Sequence, residues 1–370
     1  MHRITLVKIL TLLLLIVTIS VNAQHDTPEK EAVHVENNHS EKGNLKAEIK
    51  EYINHHLLDS YDFSLFSYTN DVGDHIYWSA PLPVILWDGG LKVFSSSKFN
   101  HGETVAEVDG NYYKVFHNKI YKTNVEGIID LDDHHHPTNV KPLDFSITKN
   151  VTVIFLVGLL MFFIFSRMAK SYKKNNLIPT GFGRMLEPII MYIRDDIAIP
   201  NIGKKNYKKY MSYLLTVFFF VWIINLLGLT PLGVNVTNNI AVTLALALIT
   251  YLLTTFTANK NYWKHIFWMP DVPVLMKIIL APIELLGTFI KPFALMIRLY
   301  ANITAGHIVL MSIIGLMFVF KSWIGSPLSF GLAFALALLE LLVAALQAYI
   351  FTMLSALYFG MAVEEHDDHH

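Results

Sequence analysis

The chain has 370 residues, of which 53% are hydrophobic and 16% are charged, and its mean hydropathy is +0.40. In soluble domains about a quarter of all residues are charged, so this composition indicates a membrane protein. The formal net charge of −1 and the lack of a long basic run argue against nucleic acid as a partner. Because the sequence contains no cysteine, it excludes disulfides, thiol catalysis and cysteine-ligated metal sites.

Residues 1–23 have the features of a secretory signal peptide. Arg3 and Lys8 precede an apolar core, and Val21 and Ala23 supply the small residues before a cleavage point. A first anchoring helix is the alternative, although the apolar run is short and no stop-transfer charges follow it. Either interpretation places the residues that follow on the exported side of the membrane.

Residues 24–145 have the composition of a soluble segment and are predicted to form an exported, periplasmic domain. The segment 45–59 has apolar residues at helical spacing, which predicts a short helix. Beyond it, runs rich in aromatic and β-branched residues are separated by the turn sequences DVGD, DGG and DGN. This pattern predicts a small β-rich domain, and it contains no catalytic constellation.

Histidine and acidic residues cluster at 132–136 and in the C-terminal sequence EEHDDHH, so metal binding has to be considered. Three consecutive histidines, His134, His135 and His136, cannot all face one ion from a regular element, and no second cluster lies at a matching spacing. We therefore predict a solvated acidic loop and tail, with no metal or other cofactor in this chain.

The membrane domain is predicted to occupy residues 146–370 and to begin with the apolar segment 151–165. Four basic residues follow that segment and place this end in the cytoplasm by the positive-inside rule. They are Arg167, Lys170, Lys173 and Lys174. The segment 181–198 is too charged to span, but its apolar residues recur at helical spacing. It predicts an amphipathic helix on the cytoplasmic surface.

Two further spans are predicted near 211–229 and 238–256, and two long hydrophobic stretches follow at 272–320 and 327–363. One upright crossing needs only about 20 residues, so the stretch 272–320 must break or lie strongly tilted. The backbone can bend at its prolines, Pro273, Pro282 and Pro292. These segments predict an all-α polytopic membrane protein with about five membrane helices, the last two long and strongly tilted, beside the small β-rich domain.

The stretch 272–320 carries charges at membrane depth. Glu284, Lys291 and Arg298 are seven residues apart and therefore lie on one stripe of a helix. A guanidinium keeps its charge, and placing it in the bilayer costs roughly 2.5–3.5 kcal/mol, which a partner must offset. The Arg298 side otherwise carries small residues and one amide, namely Ala294, Ala301, Asn302 and Ala305. Such a face lets another helix approach closely, although internally paired charges are the alternative.

Two more polar residues, Glu340 and Gln347, lie seven residues apart in the last apolar stretch. A carboxylate deep in an apolar helix indicates a functional site. His307 lies about 180° around the helix from Arg298 and could pair with Glu340 on an antiparallel neighbour, each changing the proton affinity of the other. We predict a proton relay from this pair, although a lone histidine can also be a satisfied core residue.

Three motifs resemble subunit a of the F-type ATP synthase, the stator protein that lies against the rotating c-ring. They are RLYANITAGH (298–307), ELLVAALQAYIFTMLSALY (340–358) and VNVT (234–237). The resemblance covers roughly residues 145–363. It implies a proton-conducting subunit with two offset half-channels that are separated by an essential stator arginine, Arg298.

The resemblance also implies the other site residues and the partners. The matching polar positions along the proton path are Asn302, His307, Glu340 and Gln347, with Glu284 and Lys291 toward the cytoplasm. The implied partners are the c-ring, the subunit b peripheral stalk and other synthase subunits in a bacterial inner membrane, with the C-terminus in the cytoplasm. No Walker-type glycine loop occurs, so the chain is not expected to be catalytic alone.

The sequence departs from the common bacterial pattern in two respects. Relatives carry an acid at the position of His307 and a histidine at that of Glu340, so the pair is exchanged here, as in the mitochondrial type. The order of proton transfer between the two groups therefore stays open, as does the choice between proton and sodium as the coupling ion. The exported domain is an addition to the common pattern of the family, and the resemblance implies nothing about its role.

Two other classes of function are weighed against this interpretation. A secondary transporter could use Arg298 to bind an anionic substrate, but such folds usually have repeated halves with paired broken helices, and the sequence has no internal repeat. A membrane-anchored sensor could use the exported domain. A sensor, however, would have no need of a charged stripe at membrane depth.

Overall fold

The computed structural model describes the chain from Asp59 to Glu364, apart from residues 70–74, 103, 134–135, 175, 177, 179–180, 231–233, 235, 270–272 and 320–324. The predicted signal peptide, nearly all of the predicted helix 45–59 and most of the C-terminal acidic tail lie outside these residues. His134 and His135 also lie outside them.

The described residues before 149 form eight strands in three small antiparallel sheets. The strands are β1 Asp62–Thr69, β2 His75–Pro81, β3 Pro83–Trp87, β4 Leu91–Ser95, β5 Ala106–Val108, β6 Asn111–Phe116, β7 Lys119–Thr123 and β8 Leu143–Asp144. Their orders are β1-β2, β4-β3-β8 and β5-β6-β7. Alternate residues of β3 and β4 point inward, so Val84, Leu86 and Phe94 join Tyr113 and Ile120 in one core.

The hairpins follow the turn chemistry of the sequence. Asp109 and Gly110 connect β5 to β6 with φ values of 50° and 75°. His117 and Asn118 connect β6 to β7 with φ values of 46° and 55°. Two-residue hairpin loops favour positive φ at both positions because their twist then matches that of the strands.

The membrane domain is helical. Its helices are α1 Lys149–Lys174, α2 Phe182–Tyr192, α3 Ile199–Ile202, α4 Tyr207–Gly228, α5 Ile240–Thr257, α6 Lys260–Phe267, α7 Val274–Val319 and α8 Gly325–Val363, with a π-helical segment Ile193–Ala198 between α2 and α3. Five of these helices, α1, α4, α5, α7 and α8, are long and apolar enough to cross a membrane. The prediction of a polytopic membrane protein with about five membrane helices is therefore confirmed.

Helix α7 excludes one of the two predicted alternatives for the stretch 272–320, namely a break in the helix. It runs unbroken for 46 residues with Pro282 and Pro292 inside it, so a break at these prolines is wrong, and only Pro273 lies at its start. Each proline removes one backbone hydrogen bond, and the packing of α7 on α5, α6 and α8 compensates for that loss. At 1.5 Å per residue the helix is about 69 Å long, more than twice the hydrocarbon thickness of about 30 Å. A strong tilt is thus still the expectation.

The predicted amphipathic helix over 181–198 is present as α2 and the π-helical segment. Its apolar face is buried, with Leu186, Ile193 and Ile197 in the same core as residues of α4 and α8. Helix α3 continues this face with Ile202. A location at the cytoplasmic surface stays a prediction.

Helix α8 approaches α3 closely at Gly360. A Cβ atom at this position would lie 2.0 Å from the carbonyl oxygen of Asn201, so only glycine permits the contact. Gly331 lies on the same helix, and a Cβ atom there would meet no other atom within 4 Å. The packing of α8 on α3 therefore depends on glycine at position 360, which has no side chain.

We expect Gly360→Ala to destabilise the membrane domain, because the backbone of α3 has to move away from α8. Overpacking of this kind costs about 1–3 kcal/mol. Thermal unfolding of the detergent-solubilised chain should show a lowered midpoint, while the control Gly331→Ala should unfold at or slightly above the parent midpoint. Equal midpoints for the two variants would contradict the close contact.

The first membrane helix is capped by residues from the start of the described chain. The Lys149 amide donates to the Ser60 carbonyl oxygen at 2.9 Å, and the Asn150 amide donates to Asp59 Oδ1 at 3.1 Å. A carboxylate suits the positive end of a helix. Burial nevertheless raises the pKa of Asp59 to about 6, against the lowering effect of hydrogen bonds from Thr148 and Asn150.

The raised pKa of Asp59 predicts a pH-dependent stability. Folding favours the protonated acid, so this stabilisation is present below the ordinary carboxyl range and is lost as the pH rises through about 6. Its size is on the order of 1–3 kcal/mol. The unfolding temperature of the solubilised chain should therefore fall between about pH 4 and pH 7. The substitution Asp59→Asn should remove the part of this fall that comes from Asp59. Identical pH profiles for the two chains would reject the assignment.

Candidate functional site

Arg298 lies on α7 with its side chain exposed. The small residues predicted on its side, Ala294, Ala301 and Ala305, are exposed as well. Among the described residues, no acidic side chain forms an ion pair with Arg298. The alternative of an internally paired charge therefore finds no support in the described part of the chain. This face of α7 is open to contact by something outside the chain.

Asn302 and Gln347 connect α7 to α8. Asn302 Nδ2 donates a hydrogen bond to Gln347 Oε1 at 3.0 Å, and the Gln347 side chain is only 2% exposed. The neighbouring small residues Ala344 and Ala348 are fully buried, which lets the two helices pack closely. Two residues that the sequence placed 45 positions apart are thus brought into direct contact one turn beyond Arg298.

Glu340 lies two helical turns before Gln347 and is buried against α7, with 5% of its surface exposed. A Cβ atom at Gly306 would lie 3.2 Å from Glu340 Oε1, so the carboxyl group occupies the space that a side chain at position 306 would fill. His307 follows Gly306 in α7, but its side chain lies outside the described part of the structure. The pairing of His307 with Glu340 therefore stays a prediction.

Glu284 and Lys291 are half-buried and line a cleft. They precede Arg298 along α7, whereas the contacts with Gln347 and Glu340 follow it. The cleft has an empty volume of about 640 Å³ between α6, α7 and the end of α8. Lys291 Nζ lies 5.9 Å from the ring centre of Tyr358 and 4.0 Å from the Met361 sulfur. The predicted cytoplasmic-side pair thus shares one cavity, whereas Glu340 and Gln347 do not line it.

A second cavity adjoins this cleft and leads toward Arg298. It has an empty volume of about 320 Å³ and shares four lining residues with the cleft, namely Tyr262, Thr288, Lys291 and Met361. Its lining includes Leu295, which lies one helical turn before Arg298, and the hydroxyl-bearing residues Thr250 and Thr254 of α5. The two cavities together therefore extend from α6 to within a turn of the arginine, and the inner one has a mostly apolar lining.

Three polar residues of the membrane domain were not predicted from the sequence as site residues. Asn225 on α4 is 3% exposed, and neither atom of its amide group has a hydrogen-bond partner among the described residues. Thr304 on α7 donates a hydrogen bond to Asn238, which precedes α5. Asn225 could have been found from the sequence, because it lies inside the apolar run IINLLG. An amide at membrane depth is costly and therefore indicates a function.

Comparison with known proteins gives two family matches. The model described as ATP synthase A chain matches residues 151–360. A second model, described as a domain of unknown function (DUF8433), matches residues 52–145. The two matches cover separate parts of the chain.

Individual relatives agree with the first match. ATP synthase subunit a of Chloroherpeton thalassium is 42% identical over 243 residues, which cover 64% of this chain and 72% of the relative. ATP synthase subunit a 2 of Chlorobaculum tepidum is 45% identical over 238 residues, or 62% of this chain and 67% of the relative. ATP synthase subunit a 2 of Prosthecochloris aestuarii is 38% identical over 304 residues, or 78% and 92%. The chain belongs to the ATP synthase A chain family.

Proposed function

We propose that this chain is the proton-translocating stator subunit of a rotary F-type ATP synthase, with two offset half-channels that meet a c-ring on either side of Arg298. The observation that carries the proposal is the exposed guanidinium on a face of small residues, without an acidic partner among the described residues. A charge at membrane depth needs a partner. A ring of helices that brings a carboxylate to this face would provide one.

The chemistry of arginine fits this role. The guanidinium stays protonated, so it cannot pass a proton from one half-channel to the other. It favours the ionised form of an arriving carboxyl group, which therefore releases its proton before it passes the arginine. The temporary ion pair offsets the cost of burying both charges. Lysine would be a poorer substitute, because burial can deprotonate it.

The need for two half-channels follows from energy conservation. A charge that moves through 100 mV gains about 2.3 kcal/mol, and a continuous channel would lose that energy as a leak. Two half-channels that end at different points of the ring force each proton to travel on a ring carboxyl group. The polar groups on the two sides of Arg298 supply suitable paths.

The periplasmic half-channel contains Asn302, His307, Glu340 and Gln347 in this proposal. Its support is the hydrogen bond between Asn302 and Gln347 and the burial of Glu340 against Gly306. We add Asn225 to this path, because its buried amide can both donate and accept hydrogen bonds and so can order water. The cytoplasmic half-channel is the cleft that contains Glu284 and Lys291.

The proposed topology agrees with the division into a periplasmic and a cytoplasmic half-channel. The N-terminal domain is exported after the signal peptide 1–23, so residues 24–145 are periplasmic and the C-terminus is cytoplasmic. The partners are the c-ring, the subunit b peripheral stalk and the other subunits of the synthase, which carry the nucleotide chemistry. The coupling ion in this proposal is a proton, because Glu340 and His307 are groups that can take up and release one.

No observation favours the secondary transporter. Transporter binding sites are typically built from discontinuous helices in two repeated halves. The two longest helices here, α7 and α8, are continuous over 46 and 39 residues. Among the described residues, Arg298 lines neither of the two cavities, whereas a small anionic substrate would need an enclosed pocket around it.

Arg298→Ala should abolish ATP-driven proton pumping in inverted membrane vesicles while the complex still assembles. The reason is that ring carboxyl groups would no longer be forced to release their protons between the half-channels. Arg184→Ala is the matched control, because Arg184 is an exposed arginine on α2 and lies outside the proposed path. Coupled pumping at the parent rate in Arg298→Ala would reject the proposed function.

Glu340→Gln should slow proton flux more than Gln347→Ala does, because only the carboxyl group can take up and release a proton. The expected loss for Glu340→Gln is on the order of a hundredfold, at the lower end of the range for groups that transfer protons. Passive proton flux through the membrane sector, measured after removal of the nucleotide-binding subunits, compares the two. Thr352→Ala is the control, since this buried hydroxyl donates only to its own helix. Negligible effects of both substitutions would remove the relay.

A further inference from the structure

Helix α6 is fixed at both ends to the helices that form the site. At its start, the Asn259 backbone amide donates to the Ala362 carbonyl oxygen at 2.8 Å, and Asn259 Nδ2 donates to the Val363 carbonyl oxygen at 3.1 Å. Beyond its end, Lys277 Nζ of α7 lies 4.8 Å from the ring centre of Trp268. Helix α6 therefore forms a fixed wall between the end of α8 and the start of α7.

The two sides of α6 have different chemistry. Trp263 and Phe267 stack on each other with their ring centres 6.1 Å apart, and both are exposed, as expected of aromatic residues at a membrane interface. Asn261, Tyr262 and His265 instead line the cleft of about 640 Å³. The polar side of α6 thus faces the space that leads to Lys291.

The cleft has an outer and an inner end. Tyr262, Thr288, Lys291 and Met361 also line the adjoining inner cavity, so they mark the inner end. Glu364 is exposed and follows the last residue of α8, so it marks the outer end together with His265. Glu284 lies close to Tyr262, whose pKa is raised by burial and further by the charges of Tyr251 and Glu284. The titratable and charged groups that line the cleft are Tyr262 and His265 of α6, Glu284 and Lys291 of α7, and Glu364.

We propose that His265 is the proton-exchange group at the cytoplasmic mouth of this passage. Histidine is the side chain that changes charge near neutral pH, so it can both take up and release protons there. During pumping, the imidazole accepts a proton from cytoplasmic water or buffer and becomes imidazolium. It then returns to neutral imidazole as the proton passes through water to the Glu284 carboxylate, which becomes a carboxylic acid. During synthesis each transfer runs in reverse.

This inference rests on the proposed function and adds a residue and an element to it. Helix α6 thereby has a role, because its fixed ends hold His265 in the lining of the cleft that also contains Glu284 and Glu364. The cleft has room for several water molecules, which can carry the proton between the imidazole and Glu284. Without the imidazole, protons would have to reach Glu284 directly from bulk water, and this supply falls tenfold with each pH unit.

The test uses inverted vesicles that contain the whole synthase, because their outer medium contacts the cytoplasmic face. ATP-driven pumping is measured in weakly buffered medium for His265→Ala and His265→Gln. We expect rates close to the parent rate near about pH 6.5 and about threefold lower near about pH 8, where free protons are scarce. Added imidazole should restore the rate of His265→Ala. Lys264→Ala is the matched control, as Lys264 is exposed on α6 and does not line the cleft.

Two results would overturn the proposal. One is a pH profile of both His265 variants that parallels the parent profile. The other is a loss that is equal at both pH values and insensitive to imidazole, as a purely structural role would produce. Vesicles with Arg298→Ala separate this inference from the proposed function. If Arg298→Ala abolishes pumping and the His265 variants pump normally, only the role of His265 fails; if Arg298→Ala pumps normally, the proposed function fails with it.

Discussion

The permanent charge of Arg298 is the constraint on which the membrane domain depends. The side chain is exposed on a face of small residues and has no acidic partner among the described residues. In the proposed function, its cost at membrane depth is offset from outside the chain, and the small residues allow another helix to approach closely. The length of α7 is consistent with this role, since a long tilted helix presents an extended face to a curved ring of helices.

The polar groups are organised around that charge. On one side, the contact between Asn302 and Gln347 and the buried carboxyl group of Glu340 lie between α7 and α8. On the other side, the cleft with Glu284 and Lys291 lies between α6, α7 and the end of α8. The same pair of helices thus borders both polar regions, and the arginine lies between them. In the proposed function, these two regions are the separated paths that let the protein conduct protons without a leak.

Much of the membrane domain could be predicted from the sequence because hydrophobic length and helical spacing are local properties. They located the spans and placed Glu284, Lys291 and Arg298 on one stripe. The unbroken course of α7 could not be predicted, because the local effect of Pro282 and Pro292 opposes it and packing with other helices decides the outcome. The pairing of Asn302 with Gln347 depends on the register of two helices, which no periodicity encodes. The role of α6 depends on contacts at both of its ends.

The central claim is that the Arg298 face of α7 lies against a moving ring, and the absence of cysteine from the natural chain makes a direct test practical. A single cysteine at Ala301 should form a disulfide with a cysteine on the outer helix of the ring and stop rotation reversibly. A cysteine at Leu159, which is exposed on α1, should not form this bond. If Leu159→Cys cross-links to the ring and Ala301→Cys does not, the face that carries Arg298 is turned away from the ring and the claim is contradicted.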